Sequence, residues 1–227
     1  MIESCRDNFF VSMEWSKSMN KFIATGQLLK IIEGKRNDVH LLVLIKRPNQ
    51  PNAKISFLIK SDLDPSIKIN DTITLEGAIR GFNQKNENGK WKINHYLEAE
   101  TVKLAQNEIQ QEYNLPGHYF PQHSFIGYGE GKISSIADFD TNRKTLIVAI
   151  YGEKEIPDMA TLIVRDNFRT HDEYNSLHKG ATIAFIINVQ TQKKEVNEKQ
   201  QSYTDFLVRD FSIINKRFEI SNPDTEE

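Results

Sequence analysis

Asn70-Asp-Thr-Ile-Thr-Leu-Glu-Gly-Ala-Ile-Arg80 reads as one β-strand entered from a tight turn. Its residues alternate at period two, with Ile73, Leu75, Gly77 and Ile79 on one face and Thr72, Thr74, Glu76, Ala78, Arg80 and Phe82 on the other. The apolar face is expected to meet a core. Arg80 and Phe82 then emerge together where the strand runs into a polar hairpin, turned at Asn88-Gly89 and returning as Trp91 to Leu104.

On either side of this strand the chain offers more short β-branched runs divided by polar turns, with little sustained helical period. One set is Phe22 to Ile32, Val39 to Lys46, Lys54 to Lys60, Thr72 to Phe82 and Trp91 to Leu104. A second set is Phe125 to Ile136, Lys144 to Tyr151, Ala160 to Arg165, Ala181 to Gln190 and Tyr203 to Ile214. Gly26-Gln-Leu-Leu-Lys-Ile31 overlays Gly131-Lys-Ile-Ser-Ser-Ile136, and Val39 to Ile45 overlays Lys144 to Ile150, both at an offset of 105. The offset drifts to 109 at Asn70-Asp71 on Lys179-Gly180 and to 110 in the last strand, which is what loop insertions in a duplicated domain produce. The expected organisation is an N-terminal extension (1–20), a first domain (21–104), a linker (105–124), a second domain (125–217) and an acidic tail (218–227). The extension carries Phe9, Phe10, Val11, Met13 and Trp15, too apolar for a free tail, and Pro116-Gly117 and Pro121 punctuate the linker.

Composition bounds the function. The 227 residues carry 29 Lys+Arg against 31 Asp+Glu, so net charge is −2 and no global basic field draws the chain to nucleic acid. With 38% hydrophobic and 26% charged residues it is an ordinary globular sequence, which excludes disorder and collagen. The longest aliphatic run, Leu41 to Ile45, is far short of the roughly 18 residues of a membrane span. Met1-Ile-Glu-Ser-Cys5 has no charged-then-apolar signal segment, so no membrane partner and a cytoplasmic location are expected. Cys5, the one cysteine, can make neither an internal disulfide nor a CxxC metal knuckle.

Five strands per copy, a glycine in the first, a short helical insert after the third (Asn167 to Leu177 in the second copy) and a long polar hairpin before the fifth resemble an OB-fold. Asn70 to Arg80 with its hairpin and last strand is similar to the corresponding segment of bacterial single-stranded-DNA-binding proteins, as is Asp172 to Gly180 in the second copy. The resemblance implies an all-β chain of two tandem five-stranded OB-fold barrels, each with a short helix after the third strand. It also implies single-stranded DNA as ligand, with RNA the alternative, no cofactor, a homodimer, and a role in replication, recombination or plasmid and phage transfer. Two features depart from the family. The tip ends in Glu226-Glu227 where the family has an apolar residue for partner proteins, and the family's stacking aromatic of the third strand falls near Ile59 and near Val164 or Arg165. An OB-fold scaffold that binds protein is the rival reading.

Single-strand binding needs cations for phosphates and aromatic faces for bases. Residues 22–104 hold 13 Lys+Arg and 9 Asp+Glu, net +4, against 13 and 13, net zero, in 121–217, so the first domain is expected to bind more strongly. Candidates there are Lys46 and Arg47 in a Pro-rich turn, Arg80 and Phe82 at the hairpin root, and Lys85, Lys90, Trp91 and Lys92 in the hairpin. Phe82 is either a stacking ring or a cap on the barrel end, and the Lys46-Arg47 turn is either a phosphate contact or merely solubilising. Phe57 is a further candidate with two readings. Ile55, Phe57 and Ile59 face the ligand side if they match Thr161 and Arg165, or the core if the overlay slips by one residue. In the second domain the corresponding surfaces hold Lys132, Tyr151, Lys154, Arg165, Arg169, Lys193, Lys194 and Tyr203.

Catalytic patterns fail. Gly127-Tyr-Gly-Glu-Gly-Lys132 is followed by Ile133 where a phosphate loop needs Ser or Thr, so it reads as a curved strand. His118 with His123 and His171 with His178 lack cysteine or carboxylate neighbours at zinc-ligand spacing, and Asp138 and Asp140 read as turn residues.

Overall fold

The computed structural model describes residues 20–34, 38–47, 51–85, 89, 91–105, 124–151, 156–167, 171–196 and 199–214. The acidic tail and nearly all of the expected N-terminal extension and linker lie outside them. Ten strands follow in chain order: β1 (Asn20–Glu33), β2 (Val39–Ile45), β3 (Ala53–Ile59), β4 (Thr72–Lys85), β5 (Trp91–Leu104), β6 (Ser124–Asp140), β7 (Arg143–Ile150), β8 (Asp158–Arg165), β9 (Thr182–Val196) and β10 (Lys199–Ile213).

Strands β1 to β5 close a five-stranded barrel through the pairings β1–β2, β2–β3, β3–β5, β5–β4 and β4–β1, of which β3–β5 is parallel. The last five strands are paired β6–β7, β7–β8, β8–β10, β10–β9 and β9–β6, with β8–β10 parallel. Antiparallel pairing of β1 with β6, from Asn20↔Gly129 to Thr25↔Ser124, joins the two sets into one sheet.

Alternation along the strands builds the core. Phe22, Ala24 and Leu28 of β1, Leu41, Val43 and Ile45 of β2 and Ile73, Leu75 and Ile79 of β4 are fully buried, each large side chain contributing roughly 1.5–3 kcal/mol. Phe22 lies 5.4 Å from Phe57 and stacks at 5.9 Å on Phe125 of β6, so one hydrophobic cluster runs through both sets of strands. A bulge at Leu29, between the pairs Leu28↔Val43 and Lys30↔Leu42, lets β1 leave β4 and turn onto β2. Gly26 sits just before that corner, where a Cβ would meet Val43 Cγ1 at 2.6 Å and the Leu44 carbonyl at 2.7 Å, so the first strand needs its glycine for close passage over β2. Beyond the last β1–β4 pair the side chain of Asn20 replaces a strand: its Nδ2 donates to the Ile79 carbonyl at 2.7 Å and its Oδ1 accepts from the Ile79 amide at 3.1 Å.

Two expectations are corrected. No helix follows β3. Residues 60–71 form turns, in which the Asp64 carboxylate accepts the Ser66 amide at 2.8 Å ahead of Pro65. The Ile67 amide donates to the Asp64 carbonyl at 3.0 Å, which closes a single turn that goes no further, and Ile67 is buried in the core. The corresponding segment of the last five strands has a four-residue helix, His171–Tyr174, among its described residues. Phe57 faces the core, fully buried with Ile55 and Ile59. The register shows why. Leu41 pairs with Phe57 and Leu146 with Leu162, so at the offset of 105 that relates Leu41 to Leu146, Phe57 matches buried Leu162. Matching it to the face of Thr161 and Arg165 slips the overlay by one residue and turns every side chain over.

Candidate nucleic-acid interface

The strands most polar in sequence project beyond the core as two-stranded arms, and each arm lies across the other set of strands. The β4–β5 arm crosses β8. Gly81 comes so close that a Cβ would stand 1.7 Å from the Met159 carbonyl, and its amide donates to Asp158 Oδ1 at 3.3 Å. The β9–β10 arm crosses the first set in turn. The Lys54 amide donates to Thr191 Oγ1 at 3.1 Å, that hydroxyl donates back to the Lys54 carbonyl at 3.0 Å, and Arg47 donates to the Val189 carbonyl. Where the arms meet, the His95 imidazole lies 2.9 Å through Nε2 from the Thr204 carbonyl and 4.4 Å from the Phe206 ring.

Clefts open between arms and barrel faces. A cleft of about 360 Å³ lies between β2, β3, β5 and β10, with His40, Ser56, Asn94, Tyr96, Tyr203 and Asp205 in its walls. Another, of about 600 Å³, lies between the β4–β5 arm and the outer faces of β6, β7 and β8, with Asn83, Ser134, Ser135, Thr145, Met159 and Thr161 in its walls. Lys92 borders both.

Two of the foreseen cations, Arg80 at the hairpin root and Arg47 in the Pro-rich turn, are placed otherwise than expected. Arg80 does not stand open beside Phe82. Its side chain is 18% exposed and held among carboxylates, at 3.0 Å from Asp158, 3.6 Å from Glu100 and 3.9 Å from Glu98. Arg47 is tied to Val189, and burial lowers its guanidinium below the ordinary value. Both arginines therefore fasten the two sets of strands together. Phe57 is in the core and offers no face to a base.

Other candidates lie at the surface. Phe82 is 50% exposed and meets Tyr96 edge to face at 6.4 Å. Lys46, Lys85, Lys92, Lys132 and Arg165 are exposed, and Tyr151 stands open at the end of β7. Tyr203 is half-buried with the Lys92 ammonium 5.9 Å from its ring centroid. Lys90, Lys154 and Arg169 lie outside the described residues, as do the side chains of Trp91, Lys193 and Lys194, whose backbones pair with Lys85, Ser202 and Gln201.

Sequence reasoning missed Tyr96, His40 and Phe139. Phe139, 65% exposed, lies under the Arg143 guanidinium at 4.6 Å beside the β6–β7 turn. Its signal was an aromatic between two turn aspartates with an arginine close behind. Tyr96 and His40 gave no such signal, because they sit within strands and become surface only through the face they take. The described residues contain no group of three or more His, Cys, Asp or Glu able to hold a metal ion, and no helix among them is long and apolar enough to cross a membrane.

His95 gives the contact between the arms a pH dependence. Burial, opposed by the bond to Thr204 and the charge of Asp205, lowers its pKa, while Nδ1 is buried without a hydrogen-bond partner among the described residues. The folded state thus favours the neutral ring and the unfolded state binds the proton more readily. This contribution is complete above the unfolded value of about 6.5 and is lost as pH falls from there toward the folded value. Urea unfolding at pH 8 and pH 5.5 should show a larger acid loss for the native chain than for His95→Gln. Equal losses would remove His95 as the cause.

No protein-family model matches the sequence, and no curated protein matches it. Among solved structures the chain is similar to the single-stranded DNA binding protein from Thermus aquaticus. The wild-type form matches over 93% of this chain and 98% of that one, at 8% identity and a TM-score of 0.54. A deletion variant of the same protein matches over 91% and 99%, at 10% identity and a TM-score of 0.56.

Proposed function

Starting from a chain with the fold of the single-stranded-DNA-binding proteins, we propose that it binds single-stranded DNA with little sequence preference and carries out no chemistry on it. On this reading residues 21–104 and 125–217 are two tandem OB-folds, and the protein shields exposed strands in the cytoplasm during replication, recombination or plasmid and phage transfer. The observation that carries the reading is Phe82, a ring half in solvent, braced by Tyr96, with Lys92 further along the same face of the arm through its pairing with Gln84. An aromatic held open on the same face as a cation is an arrangement on which unpaired bases can stack, and it costs apolar exposure that a mere cap would avoid. The surplus of basic residues in 22–104, net +4, adds to the attraction.

Anisotropy of labelled oligo(dT) tests this on the full chain. The single strand should bind and a duplex of equal length should bind much more weakly, because stacking needs unpaired faces. Phe82→Ala should cost roughly 1–3 kcal/mol of binding with an unchanged melting temperature. A lower melting temperature with unchanged affinity would make Phe82 a barrel cap, and no binding to oligo(dT) would leave the protein-binding scaffold.

A homodimer belongs to the same proposal. Ile23, which pairs with Ile126 across β1–β6, is 39% exposed on the outer face of the joined sheet, with Tyr128 and Ile186 on the same face. Sedimentation equilibrium should give twice the chain mass of 26.2 kDa. A single-chain mass would remove the dimer.

A further inference from the structure

The two clefts meet at Lys92 and Ile93, which border both, and Lys92 is the cation of the pair. We propose that a nucleic-acid strand passes from the first set of strands to the last over Lys92, with a base in each cleft and the intervening phosphate on the ammonium. This rests on the single-strand reading above and adds to it a path. The volumes, about 360 and 600 Å³, fall within the range of roughly 300–1,000 Å³ in which small ligands are held.

The chemistry of the walls orients the strand. In the smaller cleft Tyr96 and Tyr203 offer rings for stacking, while His40 and Asn94 offer hydrogen-bonding groups to a base edge. Asp205 in the same wall repels phosphate, so the base goes inward and the phosphate stays at the rim. Lys92 stands at that rim, its ammonium 5.9 Å from the Tyr203 ring centroid, so phosphate contact and stacking are adjacent. No carboxylate is among the described residues that line the larger cleft. Ser135, Thr145 and Thr161 present neutral hydroxyls over apolar Ile147 and Met159, a surface that accepts any base face and bonds any base edge without charge. Hydroxyls and amides that suit all four bases fit a binder without sequence preference.

The test uses oligo(dT) carrying 5-iodouracil at two neighbouring positions, photo-crosslinked to the full chain and mapped by mass spectrometry. Attachment to Tyr203 or His40 in one cleft and to Met159 in the other is the expected result. Lys92→Gln should lower the log–log salt slope of binding by about 0.7, one phosphate's share. Tyr203→Leu should weaken binding about 5- to 150-fold, with the slope kept. If the oligonucleotide binds but attaches only at Phe82 or Phe139, and Lys92→Gln leaves the slope unchanged, the path over Lys92 is overturned while the function stands. If oligo(dT) does not bind at all, the single-strand reading fails and the path fails with it.

Discussion

Replacing Phe57 with alanine should cost about 3–5 kcal/mol of folding stability and leave the affinity of the folded fraction for oligo(dT) unchanged. Its ring is fully buried, 5.4 Å from Phe22, which stacks in turn on Phe125. Removal would open a cavity where the cores of the two sets of strands are continuous, and rigid strands on every side prevent collapse into it. Urea unfolding followed by tryptophan fluorescence and by circular dichroism measures the loss. Titration in the absence of denaturant measures the affinity. A variant as stable as the native chain but binding 1–3 kcal/mol more weakly would put Phe57 on the ligand face after all.

Arg80→Ala should cost about 3 kcal/mol of stability, the range for removing one partner from a buried ion pair. Glu98 and Asp158 are only 13% and 14% exposed, so both carboxylates would lose a neutralising cation where water replaces it poorly. Lys60 at 2.9 Å would continue to hold Glu98. Because the pair joins β4 to β8, the loss should also loosen the seat of Gly81 on Met159. A double-mutant cycle with Asp158→Ala checks the mechanism: the double variant should lose less than the sum of the singles. The salt slope of binding should stay where it is. A slope lowered by about 0.7 with stability intact would return Arg80 to the role of a phosphate contact.

These two residues mark where the sequence was legible and where it was not. All ten described strands were readable as runs, because short β-branched stretches bounded by turn residues carry their own signal. The facing of β4 was readable too, since its two faces differ in polarity: Ile73, Leu75 and Ile79 are buried and Phe82 is open. The facing of β3 was not, because Leu58 interrupts the polar face and leaves Ile55, Phe57 and Ile59 without contrast. Its register with β2 had to supply the answer.

The candidate binding surface divides in the same way. Exposed Phe82, Lys85 and Lys92 follow from strand alternation and hairpin polarity, which are local properties of the chain. The partners of Arg80 and Arg47 do not, because Asp158 is 78 residues away and Val189 is 142 residues away. Both arginines, polar by sequence, are claimed by contacts that arise only when the two arms cross. The clefts have the same origin, for their walls come from strands of both sets and become neighbours only in the assembled sheet. The sequence by itself determined the strands, their turns and the side chains that alternation turns outward. Only the tertiary structure decided which of those side chains meet solvent and which fasten one set of strands to the other, because that depends on long-range packing for which a local pattern carries no information.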